Sequence, residues 1–135
     1  MTTAESYDHV MLAVAIWREA RGESRDAKRA VAHVILNRIQ DPRWPDSAVE
    51  VVTQPRQFSC FNAGDPNATK FPTPKRASDW AAWMECCSVV DELEADYDPT
   101  GGANHYHSLP AGAEPDWAMP DKLTLTVGRL QFYKL

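Results

Sequence analysis

A chain of 135 residues is long enough to bury one sizeable core and too short for two. Its 44% hydrophobic and 24% charged residues are those of an ordinary globular protein, and the longest apolar run, Val10 to Trp17, falls far short of the roughly 20 residues a bilayer span requires. A net charge of -5 disfavours the phosphate backbone of nucleic acid, which is held by clustered Lys and Arg, so neither stable membrane association nor a nucleic-acid partner is expected.

The apolar run is preceded by Glu5 and Asp8 rather than by Lys or Arg, and no small-residue cleavage site follows it, so it reads as mature protein and not as a secretion signal. From about Tyr7 to Arg21 the chain is apolar at nearly every angular position, which predicts a helix buried on most sides and stopped at Gly22. Ser24 caps a second predicted helix, Arg25 to Gln40, with Ala27, Val31, Val34, Ile35 and Ile39 on its buried stripe and Lys28, Arg29 and Arg38 more exposed.

Between Pro42 and Pro74 the recurrent Pro, Asn, Gly and Asp predict loop, apart from a short helix near Ser47 to Thr53. Ser78 is the expected cap of a helix to about Leu93 that buries Trp80, Trp83, Cys87, Val90 and Leu93. Irregular chain is expected from Asp98 to Asp121, then two short strands turning at Gly128-Arg129. The fold class is therefore mainly α, an α+β chain with a small C-terminal β-hairpin, and residues 1–135 are expected to form a single domain. Cys60, Cys86 and Cys87 have neither a disulfide framework nor a CxxC spacing and are expected to be reduced, small apolar side chains.

"IWREARGESRD", residues 16–26, carries the strongest candidate chemistry. Leu12, Ala15, Ile16 and Glu19 fall at i, i+3, i+4 and i+7, so Glu19 extends an apolar stripe and its carboxylate should be partly desolvated. It also lies in the last turn, at the negative end of the helix dipole. Both effects disfavour the anion, as a general acid at neutral pH requires. Position alone leaves open that Glu19 and Glu23 are both solvated charges partnered loosely by Arg18 and Arg21.

"EARGE", "AKRAVAHVILNRI", "QFS", "GANHYH" and "VGRLQFY" follow one another over residues 16–133, and this ordered set resembles the cell-wall hydrolase family typified by the spore-cortex-lytic enzyme SleB. The resemblance implies a lysozyme-like, lytic-transglycosylase-like fold and cleavage of the β-1,4 bond between N-acetylmuramic acid and N-acetylglucosamine in peptidoglycan. It implies that Glu19, the first glutamate of the motif, is the acid, with Glu23 orienting it or touching substrate. Gln57, Phe58 and Ser59 are implied to lie near the active site, where Gln57 and Ser59 would bond sugar hydroxyls or N-acetyl groups and Phe58 would pack beneath a ring or anchor the core.

Tyr106 is implied to lie beside the acid, while His105 and His107 either contact substrate or make structural bonds within their loop. Ser108 and Leu109 stand where the family often has Asn-Pro, and Leu130 where it often has His. Trp44 and Trp117, in loops, are candidates for lining a glycan cleft. No cofactor and no metal are expected, because His105 and His107 would need further convergent ligands.

A lytic transglycosylase can work with one glutamate. No second carboxylate is compelling among Glu23, Asp26, Asp65 and Asp116, so that mechanism is favoured over lysozyme-type hydrolysis. A non-catalytic glycan-binding module and a metal-dependent amidase are the remaining readings. The expected partner is the peptidoglycan glycan strand, and the chain is expected to act as a monomer. Small size, the missing export signal and the missing wall-binding module point to a phage endolysin held in the host cytoplasm until release; the alternative is the mature fragment of an exported enzyme.

Overall fold

The computed structural model describes residues 2–54, 75–93, 97–109 and 114–135. Among the described residues four helices come first: α1 (Thr3–Ala20), α2 (Arg25–Ile39), α3 (Ala48–Thr53) and α4 (Ala77–Glu92). Three strands follow, β1 (His105–Ser108), β2 (Leu123–Val127) and β3 (Leu130–Tyr133), in an antiparallel sheet ordered β1-β3-β2. A short 3-10 turn, Pro120–Lys122, leads into β2. None of the described helices is long and apolar enough to cross a membrane.

Helix α1 starts earlier than the apolar pattern predicted. Thr2 and Glu5 form a reciprocal capping box, in which the Thr2 hydroxyl accepts from the Glu5 N–H at 3.1 Å and the Glu5 carboxylate from the Thr2 N–H at 2.8 Å. This polar signal adds a turn ahead of the hydrophobic stretch. At its other end the helix stops without a left-handed glycine; the Arg21 guanidinium reaches back to the carbonyls of Trp17 (3.3 Å) and Arg18 (3.5 Å). The expected Ser24 cap of α2 is present, its hydroxyl accepting from the Ala27 N–H at 3.2 Å.

Helix α2 lies at the centre, with one face toward the other helices and one toward the sheet. Ala32 and Ile35 join Leu12, Ile16, Val51, Val52, Cys86 and Val89 in one cluster. Val31 and Val34 join Ala20, Leu130 and Phe132 in a second. Phe132 is fully buried, so truncating its ring would cost roughly 3–5 kcal/mol.

This central position corrects the expectation that Lys28 and Arg38 are exposed. Both are buried, at 3% and 4% exposure, because Lys28 lies against α4 and Arg38 against the residues that precede β1. Each is met by fixed oxygen partners: Lys28 Nζ by the Glu23 carbonyl (2.8 Å) and Glu85 (2.7 Å), Arg38 Nε by the Asn104 carbonyl (2.7 Å).

Helix α4 is not capped by Ser78. Asp79 accepts the Arg76 N–H at 3.1 Å, and Ser78 lies inside the first turn. Trp80 is also outside the expected core stripe, being 53% exposed; Trp83 and Cys87 pack partly buried against the helical cluster, and Val90 and Leu93 are buried. Cys86 is buried and free, and burial pushes its thiol up to about 11, which keeps it protonated and inert; Cys87 is free and half-buried. Cys60 lies outside the described residues.

The C-terminal hairpin forms as expected, with Gly128 at φ +55 opening the turn to Arg129, a left-handed conformation that favours glycine. The expectation of irregular chain from Asp98 to Asp121 is wrong at His105–Ser108, which pairs with β3 in the register Tyr106 opposite Phe132. A four-residue strand is too short for alternation to reveal, and it exists because β3 offers it an edge.

Candidate active site

The junction of α1 and α2 is a tight elbow closed by the Glu23 N–H donating to the Ala20 carbonyl at 2.9 Å. Three further contacts hold it. Buried Lys28 binds the Glu23 carbonyl from α2 while its ammonium also meets Glu85 of α4. Arg129, in the hairpin turn, donates from Nε to the Glu23 carboxylate at 2.5 Å. The Glu23 side chain is only 15% exposed, although Arg129 itself is 65% exposed.

Glu19 sits half-buried in the last turn of α1, directly before this elbow, and continues the stripe of buried Leu12, Ala15 and Ile16. The partial desolvation inferred from the sequence therefore has a structural basis. The dipole contribution is weaker than the sequence implied, because Arg21 occupies two of the last carbonyls and stacks 4.5 Å over Trp17.

Strand β1 is set in place by a loop built around Asp98. Its carboxylate accepts from the Thr100 hydroxyl (2.6 Å) and N–H (2.8 Å), the Gly102 N–H (2.9 Å) and Asn37 Nδ2 of α2 (2.9 Å). Burial alone would raise the Asp98 pKa, yet the hydrogen bonds from Thr100, Asn37 and Gly102 together hold it below the usual 3.8. Asn37 also binds the Ala103 carbonyl at 2.8 Å, and Arg38 the next one, so α2 grips the two residues that precede β1.

Alternation along β1 divides the "HYH" triplet between two faces. Tyr106 turns toward the helices, where it stacks on Phe132 at 5.6 Å and packs against both core clusters. His105 and His107 turn to the other face and meet Trp117 at 4.9 and 5.9 Å; His107 also stacks on Tyr133 and lies 3.2 Å from its hydroxyl.

Trp44 completes that outer cluster edge-on to His105, with the Arg38 and Arg43 guanidinium groups near its ring. Burial, then the charges of Arg38 and Arg43, push His105 down to about 4, so it is neutral at pH 7 and its Nδ1 can donate to Asn104 Oδ1 at 2.8 Å. Among the described residues no three His, Cys, Asp or Glu side chains converge as metal ligands would.

Of the residues the sequence singled out, Glu19 and Glu23 come together at the elbow, Tyr106 faces the helices, and His105, His107, Trp44 and Trp117 engage one another on the outer face of the sheet. Gln57, Phe58, Ser59 and Asp65 lie outside the described residues. Asp26 is exposed beside Arg29, and Asp116 is exposed. A cavity of about 930 Å³, lined by Asp8, His9, His33, Asn37 and Asp91 among others, opens near the start of α1 and contains none of the predicted site residues.

Sequence reasoning did not single out Arg129, Lys28 or Asp98. Only Asp98 had a readable signal, an Asp two residues before Thr and four before Gly in a Pro-Gly-rich stretch, the pattern of a side-chain-closed turn.

The mainly helical architecture, its small antiparallel sheet and the half-buried glutamate at a helix end define a lysozyme-like, lytic-transglycosylase-like fold. The Cell Wall Hydrolase family matches residues 22–133, and the chain belongs to that family. It is 36% identical over 110 residues to a spore cortex-lytic enzyme of Halalkalibacterium halodurans, covering 82% of this chain and 29% of that protein. To the Bacillus cereus spore cortex-lytic enzyme it is 31% identical over 127 residues, covering 94% and 44%. The chain thus spans less than half the length of these relatives.

Among solved structures, the catalytic domain of the germination-specific lytic transglycosylase SleB from Bacillus anthracis superposes with a TM-score of 0.73 at 27% identity, covering 99% of this chain and 97% of that one. The catalytic domain of the Bacillus cereus SleB protein does so with a TM-score of 0.68 at 27% identity, covering 96% and 91%. The family match begins after Glu19, whereas the Bacillus cereus alignment, at 94% of the chain, leaves too few residues uncovered to begin beyond it.

Proposed function

We propose that this chain cleaves the β-1,4 bond between N-acetylmuramic acid and N-acetylglucosamine in peptidoglycan as a lytic transglycosylase, with Glu19 as general acid and then base. The observation that carries the reading is the likeness over 99% of the chain to a catalytic domain described as a lytic transglycosylase. Glu19 protonates the leaving glycosidic oxygen; its carboxylate then takes the proton of the muramic acid 6-hydroxyl, whose oxygen closes on the anomeric carbon as a 1,6-anhydro ring. No water is consumed. Engagement of Glu23 by Arg129 supports a mechanism with one glutamate, since the carboxylate nearest in sequence to Glu19 already has a cation on it.

The other parts of the reading are the binding roles of Gln57, Phe58 and Ser59 on the glycan, a monomeric catalytic unit, and an endolysin's task in the host. Expression in a bacterium with and without a pore-forming membrane protein tests that task, with lysis expected only when both are made. The chemistry is tested by mass spectrometry of muropeptides from purified peptidoglycan. The native protein should yield anhydro-muramic ends, one water lighter than reducing ends, and Glu19→Gln should yield none. Reducing ends would replace the transglycosylase by a lysozyme-type hydrolase with a second carboxylate.

A further inference from the structure

We propose that the Glu23–Arg129 ion pair is a latch that registers the end of α1 against β1, and that Glu23 is a positioning residue which does not touch the glycan. The proposal rests on Glu19 being the acid. Arg129 joins three segments: its guanidinium holds Glu23 at the elbow, its carbonyl accepts the Leu109 N–H at 2.6 Å just past the end of β1, and its backbone forms the turn between β2 and β3. Glu23 follows Glu19 by four residues, and Tyr106 precedes Leu109 by three. One residue, through its side chain and its carbonyl, therefore ties the acid's helix end to the strand that carries Tyr106.

Glu23 is suited to this task and poorly suited to grip sugar. Its carboxylate is largely withdrawn from water and needs an opposite charge beside it, which Arg129 supplies from a residue 106 positions along the chain. Its carbonyl is held independently by Lys28, so the elbow backbone stays in place while the ion pair governs where the hairpin turn docks. Catalysis is sensitive to such placement, because an error of about 1 Å at the reacting centre can cost on the order of a hundredfold.

The test is a charge swap, read as initial rate against concentration of soluble peptidoglycan fragments. Glu23→Arg and Arg129→Glu should each lower kcat roughly ten- to a hundredfold with little change in KM, and the double variant should return to within about threefold of the native rate. A double variant as inactive as Glu23→Arg alone would mean that a carboxylate is needed at position 23 toward the glycan, and would overturn the latch.

Since Glu23→Arg inserts a cation at a largely buried site, Glu23→Gln and Arg129→Gln provide a second cycle. Their combination should lose no more rate than either alone, whereas additive losses would overturn the proposal. Both cycles are read against the native rate whichever group donates the proton. If Glu19→Gln kept its activity while the single latch variants still lost rate and the swap restored it, the acid assignment alone would fall.

Discussion

The elbow after α1 and the loop before β1 are both organised by carboxylates, and they use them differently. Asp98 is surrounded by donors from its own loop and from Asn37, so its charge is spent on fixing backbone. At the elbow the fixing is done by cations, Lys28 on a carbonyl and Arg129 on Glu23, while Glu19 stands one turn earlier at the end of an apolar stripe. A carboxylate that closes a turn serves stability and must stay ionised, whereas the acid proposed at Glu19 has to hold a proton to give up.

Exchanging the two carboxylates for uncharged groups should separate these roles, and the largest effect is expected at Glu19. Glu19→Gln should lower muropeptide release by on the order of 10³-fold or more while the melting temperature stays within a few degrees of native. Asp98→Ala should do the reverse. It strands the donors of Thr100, Gly102 and Asn37, costs roughly 2–4 kcal/mol and lowers the melting temperature by about 10 °C, with activity largely recovered when assayed in the cold. If Asp98→Ala melted normally yet lost its activity, the two regions would not divide the labour in this way.

The difference between the regions also explains what could be read from sequence. The elbow was legible because helix periodicity brings Leu12, Ala15, Ile16 and Glu19 to one side within about two turns, all local information. Its supports were not: Arg129 reaches Glu23 across 106 positions, and Lys28 looked solvent-facing because the pattern on α2 does not reveal that α4 brings Glu85 against it. Likewise His105, Tyr106 and His107 could be singled out, but which of them faces the helices depends on β1 pairing with β3, and so does the packing of Trp117 onto the histidines. The start of α1 is of a different kind, since Thr2 and Glu5 carry the capping-box spacing and place the helix start ahead of the hydrophobic stretch.

A smaller effect should distinguish the outer aromatic cluster from the Asp98 loop by pH. His105 titrates near 4 in the folded chain against 6.5 unfolded, so between those values the unfolded state binds more protons. The cluster's contribution is complete above pH 6.5 and is lost as pH falls toward 4, on the order of 1–2 kcal/mol once partial exposure of the ring is allowed for. Asp98 loses its contribution lower, as pH falls from 3.8 through its depressed folded value. His105→Gln should therefore flatten the melting temperature between pH 4 and 6.5 and leave the steeper fall below it. A His105 ring that titrates near 6.5 by NMR would contradict the burial of that cluster.

The smallest effect concerns Arg21, the cation two residues past the proposed acid. Arg21 stacks on Trp17 and caps the carbonyls of Trp17 and Arg18, so its charge offsets the negative pole of α1 at the turn that holds Glu19. Arg21→Met keeps an apolar chain for Trp17 but removes the charge, and should cost only about 0.5 kcal/mol of stability. The melting temperature should fall by no more than a few degrees, with the maximal rate of peptidoglycan cleavage little changed. A loss of about 10 °C or more would mean that Arg21 holds the end of α1 through its hydrogen bonds to the two carbonyls and not through charge alone.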